Sequence, residues 1–452
     1  MRILLIQPKM NKRPMDSNMK TCMSPSLALL TLIALTPNQH ETILVNENIE
    51  KVHFDLKYID MVAITVTLDV MPGASCIAAE FRKRNVPVIA GGIHVTCSPE
   101  SCLAHFDAIC IGPAERIWGR ILEDVERHSL QQIYSDMEGF SGIEIVSPAY
   151  DRLSKGKYLY TNVVAASRGC PNRCDFCYNS CSNRMYILRP IPDVLREIHS
   201  LHTRHILFID DNFIGVPSHT EALLNAIKPL QLIWSAAVTT KILDHPDLLD
   251  LMAQTGCQSL FIGFESMNGK SLTSVHKDNA VEKYEQLVNA IHCRDIMVNA
   301  SLVFGLDDDG PETFENTLRW LVNHKIETVT SHILTPYPGT KLYERLEAEG
   351  RICTNDLEKY NTAYVVFKPA NMTEEELYDG YLWMYRKFYS FRNIIRRFPE
   401  SRKQRKAYLL FNLLYRKFGR MVSCAAGIIP MQHLGKLAAQ ISYNDLPSAK
   451  KE

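Results

Sequence analysis

Short apolar segments alternate with helical segments through the first 125 residues of this 452-residue chain, and this alternation limits its possible folds. Apolar strands without a polar face are typical of parallel sheets that helices cover on both sides. The pattern therefore predicts a doubly wound, flavodoxin-like parallel α/β sheet over residues 1–125. Its predicted strands lie at 2–7, 42–45, 61–66, 86–90 and 108–111.

A second alternating block follows a more polar segment at 126–160, which we interpret as a linker. Six strand–helix units predict a partial (β/α)6 TIM barrel over residues 161–345, in which the loops after the strands carry the chemistry. A helical C-terminal region is predicted for residues 346–452. The six strands are predicted at 162–166, 205–209, 232–238, 259–264, 298–304 and 328–334.

Three cysteines, Cys170, Cys174 and Cys177, lie within eight residues directly after the first strand of the second block. Their C-x3-C-x2-C spacing allows three thiolates on one loop to bind three irons of a 4Fe–4S cluster, whereas ferredoxin-type sequences supply four. The fourth iron is then open to a ligand, and an open metal position is typical of catalytic sites. A single cysteine is more often a small buried hydrophobic residue, and we interpret Cys181 as a bystander.

Small, hydroxyl-bearing and acidic residues follow the predicted strands in both blocks. Because ligands of parallel sheets bind beyond the carboxyl ends of the strands, these residues are candidates for cofactor binding. Taken singly, each is also compatible with an ordinary helix cap or turn. The first block supplies Thr65, Thr67, Gly91, Gly92, His94, Gly112 and Glu115, and the second supplies Asp210, Asp211, Asn212, Ser235, Glu265 and Ser266.

The chain has 50 basic and 50 acidic residues, so no global charge favours nucleic-acid binding. It shows no signal-peptide pattern and no apolar run long enough to span a bilayer. We therefore expect a cytoplasmic protein, in which a cysteine cluster indicates metal binding rather than disulfides. Between residues 386 and 420, twelve basic residues accompany one acid. This segment is compatible with a basic face packed on the barrel, a lid over the substrate, or peripheral membrane contact.

The cysteine motif, with Phe176 before its last cysteine, resembles the signature of the radical SAM superfamily. Further segments resemble its cobalamin-binding branch, the class B methyltransferases, which includes hopanoid methylases and bacteriochlorophyll methylases and cyclases. The resemblance implies three cofactors: a 4Fe–4S cluster, S-adenosyl-L-methionine (SAM) and cobalamin. The segments are PSLALLTL at 25–32, VAITVT at 62–67, VIAGGIHVT at 88–96, IGPAERIW at 111–118, FIDDN at 208–212, FIGFES at 261–266, FGLDDD at 304–309 and LTPYPGT at 334–340.

Two departures from the family pattern concern cobalamin. The first block lacks an Asp-x-His-x-x-Gly sequence, so the resemblance implies cobalamin held without a lower histidine ligand. Where a Gly-Glu-x-Glu is frequent, this chain has Gly112-Pro113-Ala114-Glu115, and Pro113 removes a backbone donor. Backbone and hydroxyl groups near Thr65, Thr67, Gly91, Gly92 and Gly112 are then expected to hold the cofactor.

For SAM, the resemblance implies chelation of the open iron through its amino and carboxylate groups. It also implies an electron donor such as flavodoxin or ferredoxin as a partner. The implied SAM contacts are Asp210, Asp211 and Asn212 at the amino group, Glu265 and Ser266 at the ribose, and Ser301 and the backbone around Leu334 at the methionine and adenine sites.

The resemblance implies an enzyme that methylates an unactivated carbon. A 5′-deoxyadenosyl radical from SAM would remove a hydrogen atom, methylcobalamin would supply the methyl group, and the protein would position the reactants and exclude water. Two alternatives stay open: a cyclase or rearrangement enzyme on the same scaffold, and a non-catalytic iron–sulfur and corrinoid sensor. The aromatic, basic C-terminal region favours a large apolar or anionic small molecule as substrate, such as a hopanoid lipid or a tetrapyrrole.

Overall fold

The N-terminal part of the chain is a six-stranded parallel sheet. The computed structural model describes residues 1–14, 16, 24–153, 157–158, 160–181, 186–273, 275, 277 and 279–417. The strands are β1 (Arg2–Gln7), β2 (Glu41–Asn46), β3 (Met61–Thr65), β4 (Val88–Gly91), β5 (Ala108–Ile111) and β6 (Ile133–Ser135). Their order is β2-β1-β3-β4-β5-β6, which confirms the predicted doubly wound sheet. Strand β6 comes from the segment that the sequence suggests is a linker.

Strand order reverses at β1, which pairs with β2 on one side and with β3 on the other. In doubly wound sheets this reversal opens a crevice beyond the carboxyl ends of the strands, where ligands bind. Residues Ile3 to Ile6 of β1 are completely buried, so helices must cover both faces. These helices are α1 (Leu27–Leu35), α2 (Met71–Arg82), α3 (Ile93–Cys97), α4 (Pro99–Cys102) and α5 (Trp118–Glu126).

The second part of the chain contains another six-stranded parallel sheet and a short hairpin. The strands are β7 (Val163–Val164), β8 (Ser167–Arg168), β9 (Ile187–Leu188), β10 (His205–Phe208), β11 (Ile233–Val238), β12 (Cys257–Glu265), β13 (Met297–Phe304) and β14 (Thr328–Ile333). The sheet order is β7-β10-β11-β12-β13-β14, and β8 pairs antiparallel with β9. Within the described residues β7 and β14 are free edges that do not pair with each other, so the sheet is open, as a partial barrel requires.

Helices cover the outer face of this second sheet. They are α6 (Ile191–Ser200), α7 (Pro217–Ile227), α8 (Pro246–Gln254), α9 (Gly269–Thr273), α10 (Tyr284–His292), α11 (Glu312–Asn323), α12 (Lys341–Ala348), α13 (Glu374–Phe388), α14 (Phe391–Arg396) and α15 (Arg405–Leu409). Alternate strand residues, such as Trp234 on β11, are buried in one hydrophobic core with residues of helices α6 to α13. The core therefore lies outside the sheet, between its strands and its helices.

Helix α13 covers the free edge of β14 with two tyrosine hydroxyls. The Tyr385 hydroxyl accepts a hydrogen bond from Ser331 N (2.8 Å) and donates one to Ser331 O (3.2 Å). The Tyr389 hydroxyl does the same for Val329, at 3.1 and 3.0 Å. Tyr385 and Tyr389 are four residues apart along the chain, and Ser331 and Val329 are two residues apart along the strand. Four residues of a helix and two residues of a strand both span about 6–7 Å, so each tyrosine lies opposite its own strand residue. The hydroxyls thus provide hydrogen-bond partners for backbone groups at an edge that could otherwise pair with another chain.

We expect the Tyr385→Phe substitution to lower the free energy of unfolding by about 1–3 kcal/mol, because Ser331 N and O lose their partner while buried. Urea denaturation of the purified protein measures the change. Tyr58→Phe is the matched control, since Tyr58 is 85% exposed, and its effect should stay within about 0.5 kcal/mol. Equal stabilities of the two variants would contradict this role of Tyr385.

The basic C-terminal segment contributes at least one packing residue. Arg397 is completely buried, and its guanidinium donates hydrogen bonds to the carbonyls of Ile326, Glu327 and Phe388. It also lies 3.5 Å from the centroid of the Phe388 ring. Residues 418–452 of the predicted helical region lie outside the described residues. In the described part of the chain, no helix combines the length and the apolar character needed to cross a membrane.

Candidate functional site

The cysteine loop begins where β8 ends, with Gly169 in the left-handed region at φ +82°. Hydrogen bonds inside the loop then turn the backbone: Cys177 N donates to Cys174 O at 3.1 Å, and Ser180 Oγ donates to the same carbonyl at 2.6 Å. No cysteine of the described ranges forms a disulfide. The loop therefore carries Cys170, Cys174 and Cys177 as thiols on a short, internally bonded segment.

The three thiols influence one another's protonation, which indicates that they lie close together. Burial, with smaller contributions from Cys174, Asp211 and Cys170, raises the pKa of Cys177 to about 12. Burial also raises the pKa of Cys174, although nearby Lys277 lowers it. Because thiolates are the metal ligands, iron binding must release these protons.

The donor chemistry of the loop fits an iron–sulfur cluster. No three His, Cys, Asp or Glu side chains in the described part of the chain are arranged to hold one metal ion. In a 4Fe–4S cube each thiolate binds a different iron, so the sulfurs stay further apart than around one ion. Three soft thiols on one loop are also the ligands that iron–sulfur clusters prefer.

The three polar residues after β10 have different surroundings. Asp210 is buried, and its carboxylate accepts hydrogen bonds from Ala166 N (3.1 Å) and Ser167 Oγ (2.5 Å), so it fixes the backbone before the cysteine loop. Burial raises the pKa of Asp211. Asn212 is buried, and its Oδ1 has no hydrogen-bond partner among the described residues. A ligand donor would satisfy this acceptor, whereas Asp210 is already occupied.

Glu265 and Lys277 form a buried ion pair beside the cysteine loop, with Nζ and Oε1 2.9 Å apart. Burial by itself lowers the pKa of Lys277, but Glu265 and the Cys174 thiol raise it more, so the ammonium stays charged. Glu265 has φ +63°, an uncommon conformation for a residue other than glycine that often occurs at functional sites. The next residue, Ser266, is buried, and its Oγ accepts a hydrogen bond from Asn268 N at 3.0 Å.

The three remaining cofactor-binding candidates of the second block lie within its sheet or directly after it. Ser301 is buried in β13. Leu334 follows β14, and its N donates to Phe304 O at 2.8 Å. Ser235 lies in the middle of β11, with its Oγ 2.8 Å from Ser259 Oγ. Ser235 is therefore inside the sheet and not at its carboxyl edge.

A cavity of about 400 Å³ lies between the carboxyl edges of the two sheets. Five of the seven candidates from the first sheet border it, together with the segment that leads into the cysteine loop. From the first sheet these are Thr65, Gly91, Gly92, Gly112 and Glu115, and from the second they include Ser167, Arg168, Gly169 and Asp211. The structure thus brings residues from both parts of the chain to one space.

Two glycines of the cavity wall occupy positions that exclude a side chain. Gly92 has φ +115°, and a Cβ there would lie 2.7 Å from Val66 O. Gly112 has φ +81°, and a Cβ would lie 2.6 Å from Met137 Cγ. Both glycines line the cavity, and a side chain at either position would collide with the protein itself.

One ion pair joins the two sheets at the cavity wall. Arg168 Nη2 lies 2.7 Å from Glu115 Oε1, and the Glu115 side chain is only 3% exposed. Arg168 belongs to β8, two residues before Cys170. The pair therefore ties the loop after β5 to the start of the cysteine loop, and the buried Glu115 carboxylate depends on Arg168 for its counter-charge.

His94 and Thr67 lie outside this cavity lining. Thr67 donates a hydrogen bond within its own loop. His94 is buried, and its Nδ1 lies 2.7 Å from the hydroxyl of Tyr178, the residue after Cys177. Tyr178 in turn stacks on Tyr337, with ring centroids 4.8 Å apart. His94 thus connects the first sheet to the cysteine loop.

Acidification should weaken this contact, because burial lowers the pKa of His94 to about 4. Above pH 6.5 the imidazole is neutral in the folded and unfolded chain, and its contribution to stability is complete. As the pH falls from 6.5 to 4, the unfolded chain takes up the proton first, and the free energy of unfolding falls by up to about 3 kcal/mol. Urea unfolding at pH 7.5 and 5.0 measures this loss. His94→Gln should show a smaller loss, and equal losses would contradict the assignment.

Sequence reasoning missed several residues of the site. Arg168 and Tyr178 flank the cysteine motif, and this position in the sequence could have identified them as site residues. Lys277 and the cavity-lining pair Arg189 and Glu197 carry no local signal, because their partners are known only once the chain is folded.

Comparisons with known proteins agree with this arrangement. The profile of the radical SAM superfamily matches residues 164–321, and a domain of unknown function, DUF4070, matches residues 340–408. The chain is 27% identical to bacteriochlorophyllide d C-12(1)-methyltransferase of Chlorobaculum tepidum, over 87% of this chain and 88% of that protein. It is 26% identical to hopanoid C-2 methylase of Rhodopseudomonas palustris, over 81% of this chain and 73% of that protein.

A solved structure of another protein has a similar fold. TsrM from Kitasatospora setae, a radical SAM methyltransferase solved with cobalamin and a [4Fe-4S] cluster bound, superimposes with a TM-score of 0.66. The match covers 97% of this chain and 99% of TsrM at 14% identity. Residues 164–321 of this chain therefore match the radical SAM superfamily model, and the chain as a whole shares the fold of TsrM.

Proposed function

We propose that this protein is a cobalamin-dependent radical SAM enzyme that methylates an unactivated carbon of a small molecule. The shared cavity carries this proposal, because the start of the cysteine loop and the glycine-lined edge of the first sheet border the same space. Relatives that are named as methylases of bacteriochlorophyllide and of a hopanoid support methyl transfer. When bound, the cluster and SAM supply an adenosyl radical and cobalamin supplies the methyl group.

The cysteine loop holds the cluster, and neighbouring strand ends hold SAM. Cys170, Cys174 and Cys177 would bind three irons of the cluster, and SAM would bind the fourth. The buried Oδ1 of Asn212, which has no partner among the described residues, would accept a hydrogen bond from the iron-bound SAM amino group, and Asp211 is a second proposed acceptor. The remaining proposed contacts are Glu265 and Ser266 at the ribose, and Ser301 and the backbone of Leu334 at the methionine and adenine groups.

The first sheet holds cobalamin through its backbone. Gly92 and Gly112 line the cavity, and Thr65 supplies a hydroxyl group. His94 is bonded to Tyr178 away from the cavity, which supports binding without a lower histidine ligand. The ion pair between buried Glu115 and half-buried Arg168 helps to close the wall against water, as radical chemistry requires.

The surroundings of the enzyme follow from the same proposal. We expect a small electron donor such as flavodoxin or ferredoxin, and a reducing cytoplasm that keeps the cysteines as thiols. Peripheral membrane contact through the basic C-terminal region stays a prediction. So do the domain boundaries at residues 125, 160 and 345.

Product analysis tests the proposal. The protein is purified anaerobically with cobalamin, reconstituted with iron and sulfide, reduced with dithionite, and incubated with SAM and candidate substrates. Formation of S-adenosylhomocysteine together with 5′-deoxyadenosine is the expected result. If 5′-deoxyadenosine forms without S-adenosylhomocysteine, the proposed methyl transfer is wrong and the result favours a cyclisation or rearrangement reaction. Absence of SAM cleavage in protein with a complete cluster would favour the sensor function.

A further inference from the structure

The interior of the second sheet is a cavity and not a packed core. On β11 the residues Ile233, Ser235 and Ala237 are half-buried, whereas the residues between them are buried against the helices. The same alternation runs along β10 and β14. In a closed barrel, bulky inward side chains fill the interior. Here the inward residues include small and polar ones, and they leave a cavity of about 470 Å³, which we call the lumen.

The lumen runs along the strands. The first residues of β10, β11, β13 and β14 border one end of it. Ile209, directly after β10, borders the other end and also lines the cavity between the two sheets. The open side of the sheet is covered in part by Tyr160 and Tyr389, which also line the lumen. A molecule in the lumen therefore reaches the edge of the sheet that carries the cysteine loop.

The wall of the lumen offers hydrogen bonds but no charge. Among the described residues, no lysine, arginine, aspartate or glutamate lines it. Its polar groups are neutral: Ser235 and Ser259 are bonded at 2.8 Å, and Thr330 donates to Asn299 Oδ1 at 3.2 Å. Burial lowers the pKa of His205 to about 4, so this imidazole is uncharged at neutral pH.

A charged ligand group inside the lumen would lose its water without gaining a counter-charge. Burial of an unpaired charge costs several kcal/mol, whereas hydroxyl and carbonyl groups find partners on serine, threonine and asparagine side chains. The same argument keeps the charged methionyl part of SAM out of the lumen. Apolar groups such as Leu207, Ile209 and Phe261 supply the rest of the wall.

We infer that the lumen binds a neutral, mainly apolar molecule that carries hydroxyl or carbonyl groups and no carboxylate. If the proposed function holds, on which this step rests, that molecule is the substrate, with its reacting carbon at the Ile209 end. The volume suits such a ligand, because small-molecule sites commonly enclose about 300–1,000 Å³. A carboxylated macrocycle is disfavoured, and a hydroxylated polycyclic or polyprenyl skeleton is favoured.

A matched pair of probes tests the inference on the protein without its cofactors. All-trans-retinol and all-trans-retinoic acid share one apolar skeleton and differ in their charge at pH 7.5. Titration followed by fluorescence should give a Kd for retinol at least tenfold lower than for retinoic acid. Equal affinities, or tighter binding of the acid, would overturn the inference.

Substitutions inside the lumen locate the bound probe. Asn299→Lys places a cation in the wall and should reverse the preference, so that retinoic acid binds more tightly than retinol. Asn323→Lys adds the same charge at an exposed position at the end of α11 and should leave the preference unchanged. Ser259→Phe fills the lumen and should weaken retinol binding at least tenfold. Unchanged binding in both Asn299→Lys and Ser259→Phe would show that the probe lies elsewhere, and the inference would be wrong.

The binding assay separates this inference from the proposed function. Selective retinol binding without methyl transfer in the product assay would leave the lumen assignment standing and count against the proposed reaction. Methyl transfer to a carboxylated substrate, with the Ser259→Phe variant fully active, would support the proposed reaction and contradict the lumen assignment.

Discussion

Replacing Cys174 by alanine should abolish both the iron–sulfur absorbance of the reconstituted protein and its cleavage of SAM. The loop then offers two thiols, which leaves a second iron of the proposed cluster without a protein ligand, besides the iron that is open to SAM. Alanine retains the backbone, so the Cys174 carbonyl can still accept its hydrogen bonds from Cys177 N and Ser180 Oγ. The loss should therefore come from the missing sulfur and not from a collapsed loop. Ultraviolet–visible spectra, iron and sulfide content, and chromatographic detection of 5′-deoxyadenosine measure it.

Cys181→Ala provides the control within the same segment. Cys181 follows the motif by four residues, and its Sγ lies 4.0 Å from Pro338 O, next to the turn after β14. This variant should keep the absorbance and the SAM cleavage of the unmodified protein. Cleavage that persists in Cys174→Ala would refute the ligand assignment, and loss of the cluster in Cys181→Ala would show that this cysteine had been wrongly set aside.

Both sheets were predictable because their signal is local. Strand β1 has four consecutive buried residues, Ile3 to Ile6, and such a run is hard to place anywhere but in a covered parallel sheet. The cysteine motif is also local, since its three residues lie on one loop and need no distant partner to be recognised. For the same reason, Gly92 and Gly112 could be expected at the carboxyl edge, where they lie.

Contacts between the two sheets were not predictable. His94 follows a strand of the first sheet, yet its imidazole is bonded to Tyr178, which is 84 residues away in the sequence. Glu115 was a candidate for cofactor binding, and the structure adds its ion pair with Arg168. Each of these contacts depends on how the two parts of the chain pack against each other. The residue pattern along a single strand does not predict that packing.

Neighbouring residues on one loop also differ in their hydrogen bonding, and the sequence does not predict this difference. Asp210 and Asn212 are both buried after β10, but Asp210 uses its carboxylate to hold Ala166 and Ser167, while Asn212 Oδ1 has no partner among the described residues. Which of them serves a ligand depends on the direction of each side chain as the chain leaves the strand. Residue type alone favours the two aspartates.

Glu197→Ala should lower the free energy of unfolding by about 3–5 kcal/mol, because it leaves the buried guanidinium of Arg189 without its counter-charge. Arg189 Nη2 and Glu197 Oε2 lie 2.7 Å apart, with side-chain exposures of 2% and 0%. Glu197 Oε1 also accepts a hydrogen bond from the Tyr150 hydroxyl at 2.9 Å, and Arg189 Nη1 donates to Ala165 O at 2.7 Å. The substitution thus loosens the segment that leads into the cysteine loop. Urea denaturation measures the loss, and a change below about 1 kcal/mol would contradict it.

A double substitution distinguishes the charge from the packing. Arg189→Met combined with Glu197→Leu removes both charges and retains most of the volume, so no ion is left buried alone. Replacing a buried pair by apolar residues is often neutral or stabilising, and the double variant should recover most of the stability that Glu197→Ala loses. It also removes the donor to Ala165 O, which directly precedes Ala166 and Ser167, the two residues that Asp210 holds. If the double variant is stable but assembles less cluster than the unmodified protein, the pair positions the cysteine loop. If cluster content also recovers, Asp210 alone suffices to hold the loop, and the ion pair acts only on stability.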